Sequence, residues 1–202
     1  INSPRPASQR AAALVLTAAM LTTLTAPAFA GTWYIEDGDI TVKAGETGND
    51  VTQNNETTYG DKGTIITNHD KDKASSNTVT IDANGKNDKV EVTLKDVNID
   101  ASSRVNPSAT TLNDTSYAAV NVTGKGDTNI ELDGDNELKS GRYRAGLEHN
   151  QTADSEGNVT SGKLTIQDDN DKAGSLTATG GIQNGAGIGA GGYGVSSGKI
   201  EI

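Results

Sequence analysis

The sequence contains no cysteine, one tryptophan, one phenylalanine and two histidines in 202 residues, and each shortage closes a route. Without cysteine there is no disulfide framework, so backbone pairing and packing must supply the stability. With aromatics at 3% and hydrophobic residues at 33%, the chain cannot fill a broad layered core of large side chains. It must bury small residues at regular intervals instead. His69 and His149 do not stand in a zinc-binding spacing such as H-E-x-x-H, and no G-x-S-x-G nucleophile elbow occurs. Zinc and serine hydrolases are set aside on that ground. Positive charge is scarce as well: 17 Lys and Arg against 27 Asp and Glu leave a net charge of −10. Such a surface repels nucleic acid and anionic lipid headgroups, so DNA binding is disfavoured.

Long hydrophobic runs are missing except at the start. Arg5 and Arg10 precede an uncharged run from Ala11 to Ala26, followed by Pro27 and then Ala28-Phe29-Ala30. This is the pattern of a Sec-type signal peptide over residues 1–30, cleaved after Ala30, and it falls short of the roughly 20 strongly apolar residues of a membrane span. A secreted or cell-surface location is expected. Ile1 in place of an initiating Met suggests a truncated or unusually started reading frame, and a chain that stops at Ile202 inside a strand signal suggests a product that continues with further rungs and a wall anchor.

What is present is alternation. Short bursts of apolar and polar residues recur as Ile40-x-Val42, Val79-x-Ile81, Val90-x-Val92-x-Leu94, Val97-x-Ile99, Val120-x-Val122, Ile130-x-Leu132, Leu164-x-Ile166 and Leu176-x-Ala178, with Trp33-Tyr34-Ile35 and Ile65-Ile66 before them. Each predicts a strand. The segments "DANGKND", "TGKGDT", "LDGDNE" and "QDDNDKAG" between them are rich in residues that form turns. No segment beyond residue 30 carries a helical apolar stripe, so the chain reads as all-β.

Leu164, Leu176, Ile188 and Ile200 stand at equal twelve-residue steps, long enough for one strand and one turn. Two architectures use such strands. An antiparallel β-sandwich pairs them through hairpins, whereas a β-solenoid stacks them in parallel and needs only a narrow interior of small residues. The equal steps favour the solenoid. Two steps per coil would stack Leu164 on Ile188 and Leu176 on Ile200. The step from Val97-x-Ile99 to Val120-x-Val122 is close to twice the shorter one and agrees with that register.

The succession "VTLKDVNIDAS", "ELDGDNELKSG", "AGLEHN", "GKLTIQDDNDKAGSLTATGG", "GAGIGAGG" and "GKIEI" resembles the bacterial secreted or surface carbohydrate-binding-domain β-helix proteins with AGIGGG-type rungs. The resemblance covers residues 78–202. It implies a right-handed parallel β-helix similar in fold to the pectate lyases and binding of plant or acidic polysaccharide, with calcium in some members. Residues 31–77 match less well and are expected to form an N-terminal cap, with Trp33 and Tyr34 plugging the end.

Candidate sites are few. Gly187-x-Gly189-x-x-Gly192 imitates a dinucleotide fingerprint, but turn and strand follow it where a helix is needed. Gly157 to Lys163 imitates a P-loop, yet Leu164 stands where Ser or Thr must meet magnesium. Asp168, Asp169 and Asp171 form an acidic turn that could contribute oxygens to calcium, against the plainer reading of a good turn former. Arg142, Tyr143 and Arg144 form the one basic-aromatic cluster, suited to stack on a sugar and to bind a uronic acid carboxylate. Tyr193 is a second candidate platform. The expectation is a non-catalytic carbohydrate-binding or adhesive module. A calcium-dependent polysaccharide lyase, with Arg142 or Arg144 as base, and a structural stalk are the alternatives.

Overall fold

The computed structural model describes residues 30–192 and 195–202. The expected signal peptide therefore lies outside the described residues except for Ala30, and so does Tyr193. The first strands are β1 (Thr32–Tyr34), β2 (Ile40–Ala44), β3 (Asn49–Gln53), β4 (Glu56–Asp61), β5 (Thr64–Thr67), β6 (Val79–Ala83), β7 (Lys89–Lys95) and β8 (Asn98–Asp100). After a long loop come β9 (Val120–Gly124), β10 (Asp127–Lys139), β11 (Leu147–Glu148), β12 (Leu164–Gln167), β13 (Gly174–Thr179), β14 (Ile188–Gly189) and β15 (Ile200–Glu201). Two single-turn 3-10 helices, Ile35–Asp37 and Leu112–Asp114, are the only helical elements among the described residues.

The strands wind into a β-solenoid with three faces. Face 1 stacks β2, β6, β9, β11 and β14 in parallel. Face 2 stacks β1, β5, β7, the first half of β10, β12 and β15. Face 3 stacks β8, the second half of β10 and β13. The long β10 passes from face 2 to face 3 without a break, bending at Gly134, whose φ of 62° lies in the left-handed region. "LDGDNE" is therefore a bent strand and not a turn between strands.

The expected two-step coil is wrong, although the twelve-residue step is real. Leu164 pairs with Ile200, 36 residues later, while Ile188 pairs with Leu147 and Leu176 with Asn136. Each step carries the chain to the next of three faces, so three steps close one coil. Leu164 and Ile188 lie in separate sheets for that reason. Ile99 and Val122 likewise sit on faces 3 and 1 and do not stack.

Inside, like residues form columns along the axis. Ile40, Val79, Val120, Leu147 and Ile188 make one on face 1, and Thr64, Val92, Ile130 and Ile166 make one on face 2. Every second residue of a strand points inward, and burying such an aliphatic contributes about 1.5–3 kcal/mol. Asparagines close gaps between coils: the side chain of Asn136 accepts from the Val97 N–H at 2.9 Å and donates to the Asp133 and Ser175 carbonyls.

Among the described strands, antiparallel pairing is confined to the edge. β3 and β4 continue face 1 as an antiparallel hairpin on β2, turning at Asn54 and Asn55, both with positive φ, as a two-residue hairpin requires. At the matching end of face 2, Trp33 lies over Ile66 and donates from Nε1 to Asp61 at 3.0 Å. Tyr34 stacks on His69 with ring centroids 3.7 Å apart.

Two insertions leave this frame. Residues 101–117 loop out between faces 3 and 1, and Arg104 forks onto Asp39 at 2.6 and 2.7 Å while lying over the Tyr117 ring. Residues 150–161 form a projecting hairpin between faces 1 and 2, closed by the Ala153–Val159 bridge and by Thr160 N–H donating to the Thr152 carbonyl.

Candidate functional site

These two insertions wall a cavity of about 260 Å³ on the outside of face 1. Its floor is set by strand alternation. Val120, Val122 and Leu147 point into the core, so Asn121, Thr123 and Glu148 point outward. Asn113 and Asp114 approach from the long loop, and Asn150 and Thr152 from the hairpin.

At the base sits a fully paired ion pair. Glu148 is 1% exposed although it faces outward. Its Oε2 receives Arg144 Nη2 at 2.7 Å and Asn150 Nδ2 at 3.1 Å. Its Oε1 receives Arg144 Nε at 3.1 Å and the Ala145 N–H at 3.0 Å. A buried charge is tolerable only with such complete pairing, and the two-pronged arginine contact is the strongest form of it. Arg144 also donates to the Asn113 carbonyl at 3.1 Å, which ties the long loop to the coil.

Glycine completes the lid over this pair. A Cβ on Gly191 would stand 2.1 Å from Glu148 Oε1, and the Gly191 N–H donates to Asn150 Oδ1 at 3.0 Å. The rest of the glycine run serves stacking: a Cβ on Gly181 would lie 1.7 Å from the Gly141 carbonyl oxygen of the coil before. No helix follows Gly192 among the described residues, so the run has no dinucleotide geometry.

The basic-aromatic cluster is present but folded inward. Tyr143 is 5% exposed and adopts a φ of 65°. Arg142 lies over its ring at 4.9 Å, and Arg142 also donates to Gln183. Tyr143 thus lines the cavity without offering an open stacking face, and Arg144 is committed to Glu148.

Asp168, Asp169 and Asp171 lie in the exposed turn between β12 and β13. The turn points its backbone inward: the N–H groups of Asp169 and Asn170 both donate to Glu131 Oε1, at 2.8 and 3.0 Å. Asp168 Oδ2 accepts from the Gly174 N–H at 3.2 Å, and Asn170 reaches Asp133 at 2.6 Å. Among the described residues no group of three or more His, Cys, Asp or Glu side chains converges to hold a metal ion.

No protein-family model, curated protein or solved structure matches the chain.

Proposed function

We propose that the chain is an exported, non-catalytic carbohydrate-binding module that takes its ligand in the face-1 cavity. The observation carrying this reading is the composition of the walls. Asn121 and Thr123 offer an amide and a hydroxyl on backbone fixed by the coils, and Asn150 and Thr152 add polar wall from the hairpin, oriented by their bonds to Glu148, Gly191 and Thr160, above an Arg144–Glu148 pair whose charges are already satisfied. Neutral donors and acceptors held in place suit the hydroxyls of a sugar, and little reorganisation has to be paid on binding. The resemblance of residues 78–202 to carbohydrate-binding β-helix proteins points the same way.

A glycan array probed with the chain, with and without calcium, tests the reading. Binding is expected to fall at least tenfold in Asn121→Ala/Thr123→Ala, whose side chains line the floor outside the core, with one long hydrogen bond from Thr123 to the Ile81 carbonyl at 3.4 Å. No affinity for any glycan would leave the stalk alternative in its place. Release of unsaturated product from pectate, abolished by chelator, would replace the module by a lyase.

A further inference from the structure

A second and larger cavity, of about 690 Å³, lies on the other side of the 150–161 hairpin, at the corner between faces 1 and 2. Four of its lining residues are lysines: Lys86, Lys125, Lys163 and Lys199. In a chain with 17 cationic residues and a net charge of −10, this grouping runs against the surrounding charge.

The lysines come from four successive coils. Lys86 sits in the β6–β7 turn, Lys125 in the β9–β10 turn, Lys163 just before β12 and Lys199 just before β15. The last two stand on neighbouring coils, since the Lys163 carbonyl accepts from the Thr128 N–H and the Lys199 carbonyl from the Leu164 N–H. Parallel coils repeat about every 4.8 Å, a spacing of the same order as one sugar residue in an extended chain.

The four lysines outnumber the acids of the corner, which are Asp127 and Asp154 in the lining and Glu201 on Lys163. Lys163 pairs with Glu201 at 2.7 Å, but the side chains of Lys86, Lys125 and Lys199 make no ion pair or hydrogen bond among the described residues. The two acids of the lining keep their charge but are held by backbone N–H groups instead of by the lysine side chains. Asp127 accepts from the Lys163 N–H at 2.8 Å, and Asp154 accepts from the N–H groups of Glu156 and Asn158, both at 2.9 Å. Between them stand Asn158, Thr160 and Ser161, and the Ser161 hydroxyl is buried without a partner among the described residues.

We propose that this corner grips the carboxylates of an acidic polysaccharide running along the solenoid axis, one lysine per coil. The proposal rests on the carbohydrate-binding reading and assigns its acidic ligand to lysines, in place of the arginines engaged at the face-1 cavity. A phosphate polymer fits less well. Among the described residues no aromatic side chain lines the corner to stack a base, as single-stranded nucleic acid sites use.

The test is titration calorimetry of the chain with a defined oligogalacturonate, with its methyl ester as uncharged control and with single-stranded DNA. The triple variant Lys86→Gln/Lys125→Gln/Lys199→Gln changes only exposed side chains. Oligogalacturonate affinity is expected to fall with added salt and to drop about tenfold in the triple variant, as three exposed charge contacts give together. Methyl-ester binding is expected to be unchanged. Equal oligogalacturonate affinity in wild type and triple variant would overturn the corner while leaving glycan binding in place. So would binding of the methyl ester alone. DNA bound more tightly than oligogalacturonate, and lost in the variant, would reassign the corner to phosphate polymers. Absence of binding to every glycan would remove the underlying reading as well.

Discussion

Face 1 is built differently at its two ends. In the early coils β2, β6 and β9 are five residues long and carry two inward columns, Ile40–Val79–Val120 and Val42–Ile81–Val122, almost wholly buried. In the later coils β11 and β14 are two residues long. The inward place two residues beyond Leu147 belongs to His149, 2% exposed, with Nδ1 3.0 Å from the Val122 carbonyl and Nε2 2.8 Å from that of Gly162. Around it the coils touch through glycine backbone. One architecture is therefore held by aliphatic burial at one end and by close backbone approach with buried polar contacts at the other.

The largest effect that would break this contrast is a cavity in the early columns. Ile81→Ala is expected to cost about 2–5 kcal/mol in urea unfolding. A loss below about 1 kcal/mol would mean that the aliphatic columns are not what holds the early coils.

The later coils should be sensitive to an addition instead of a deletion. Gly181→Ala places a methyl group against a carbonyl oxygen of the preceding coil, and overpacking of this kind costs about 1–3 kcal/mol. Hydrogen exchange is expected to show lost protection confined to residues 141–192. Equal loss over β2, β6 and β9 would show that the two ends unfold as one unit.

The smallest effect sharpens the comparison through pH. Burial raises the Asp39 carboxyl, but the Arg104 fork and the Thr78 N–H outweigh it and hold the group below the ordinary carboxylate range. A depressed folded value means the stabilisation is complete above the unfolded value of about 3.9 and is lost as pH falls through the lower folded one. Because the pair is half exposed, its worth is under about 1 kcal/mol. Asp39→Asn should flatten the acid limb of the stability profile by that amount and loosen the 101–117 loop, with Ile81 and its neighbours unaffected. An unchanged acid limb would show that other carboxyl groups govern it.

The strands were legible because alternation is a local property. Val90 to Leu94, Leu164 to Ile166 and Leu176 to Ala178 all lie in strands whose inward and outward residues follow the period of two. The number of faces was not legible, because a twelve-residue step fits a coil of two or of three such steps. Only corners such as Gly134, where the strand bends without ending, decide it. The β3–β4 hairpin had a signal in Asn54-Asn55 that the expected cap did not use.

At the cavity the difficulty was of another kind. Tyr143 and its arginines stood out by rarity, but rarity does not say which way a ring faces. Glu148 had no signal in "AGLEHN", since its burial comes from Asn150 and Gly191, and Gly191 is brought to it only when the chain has wound through another coil. The corner lysines were invisible for the same reason, being 36 to 39 residues apart along the chain.

That separation gives the corner a property its side chains do not set. The interval from Lys163 to Lys199 is fixed by the hydrogen bonds from Thr128 N–H and Leu164 N–H to their carbonyls. Substitution can erase a mark at this corner but cannot move one, so the solenoid is a ruler graduated by the peptide bond.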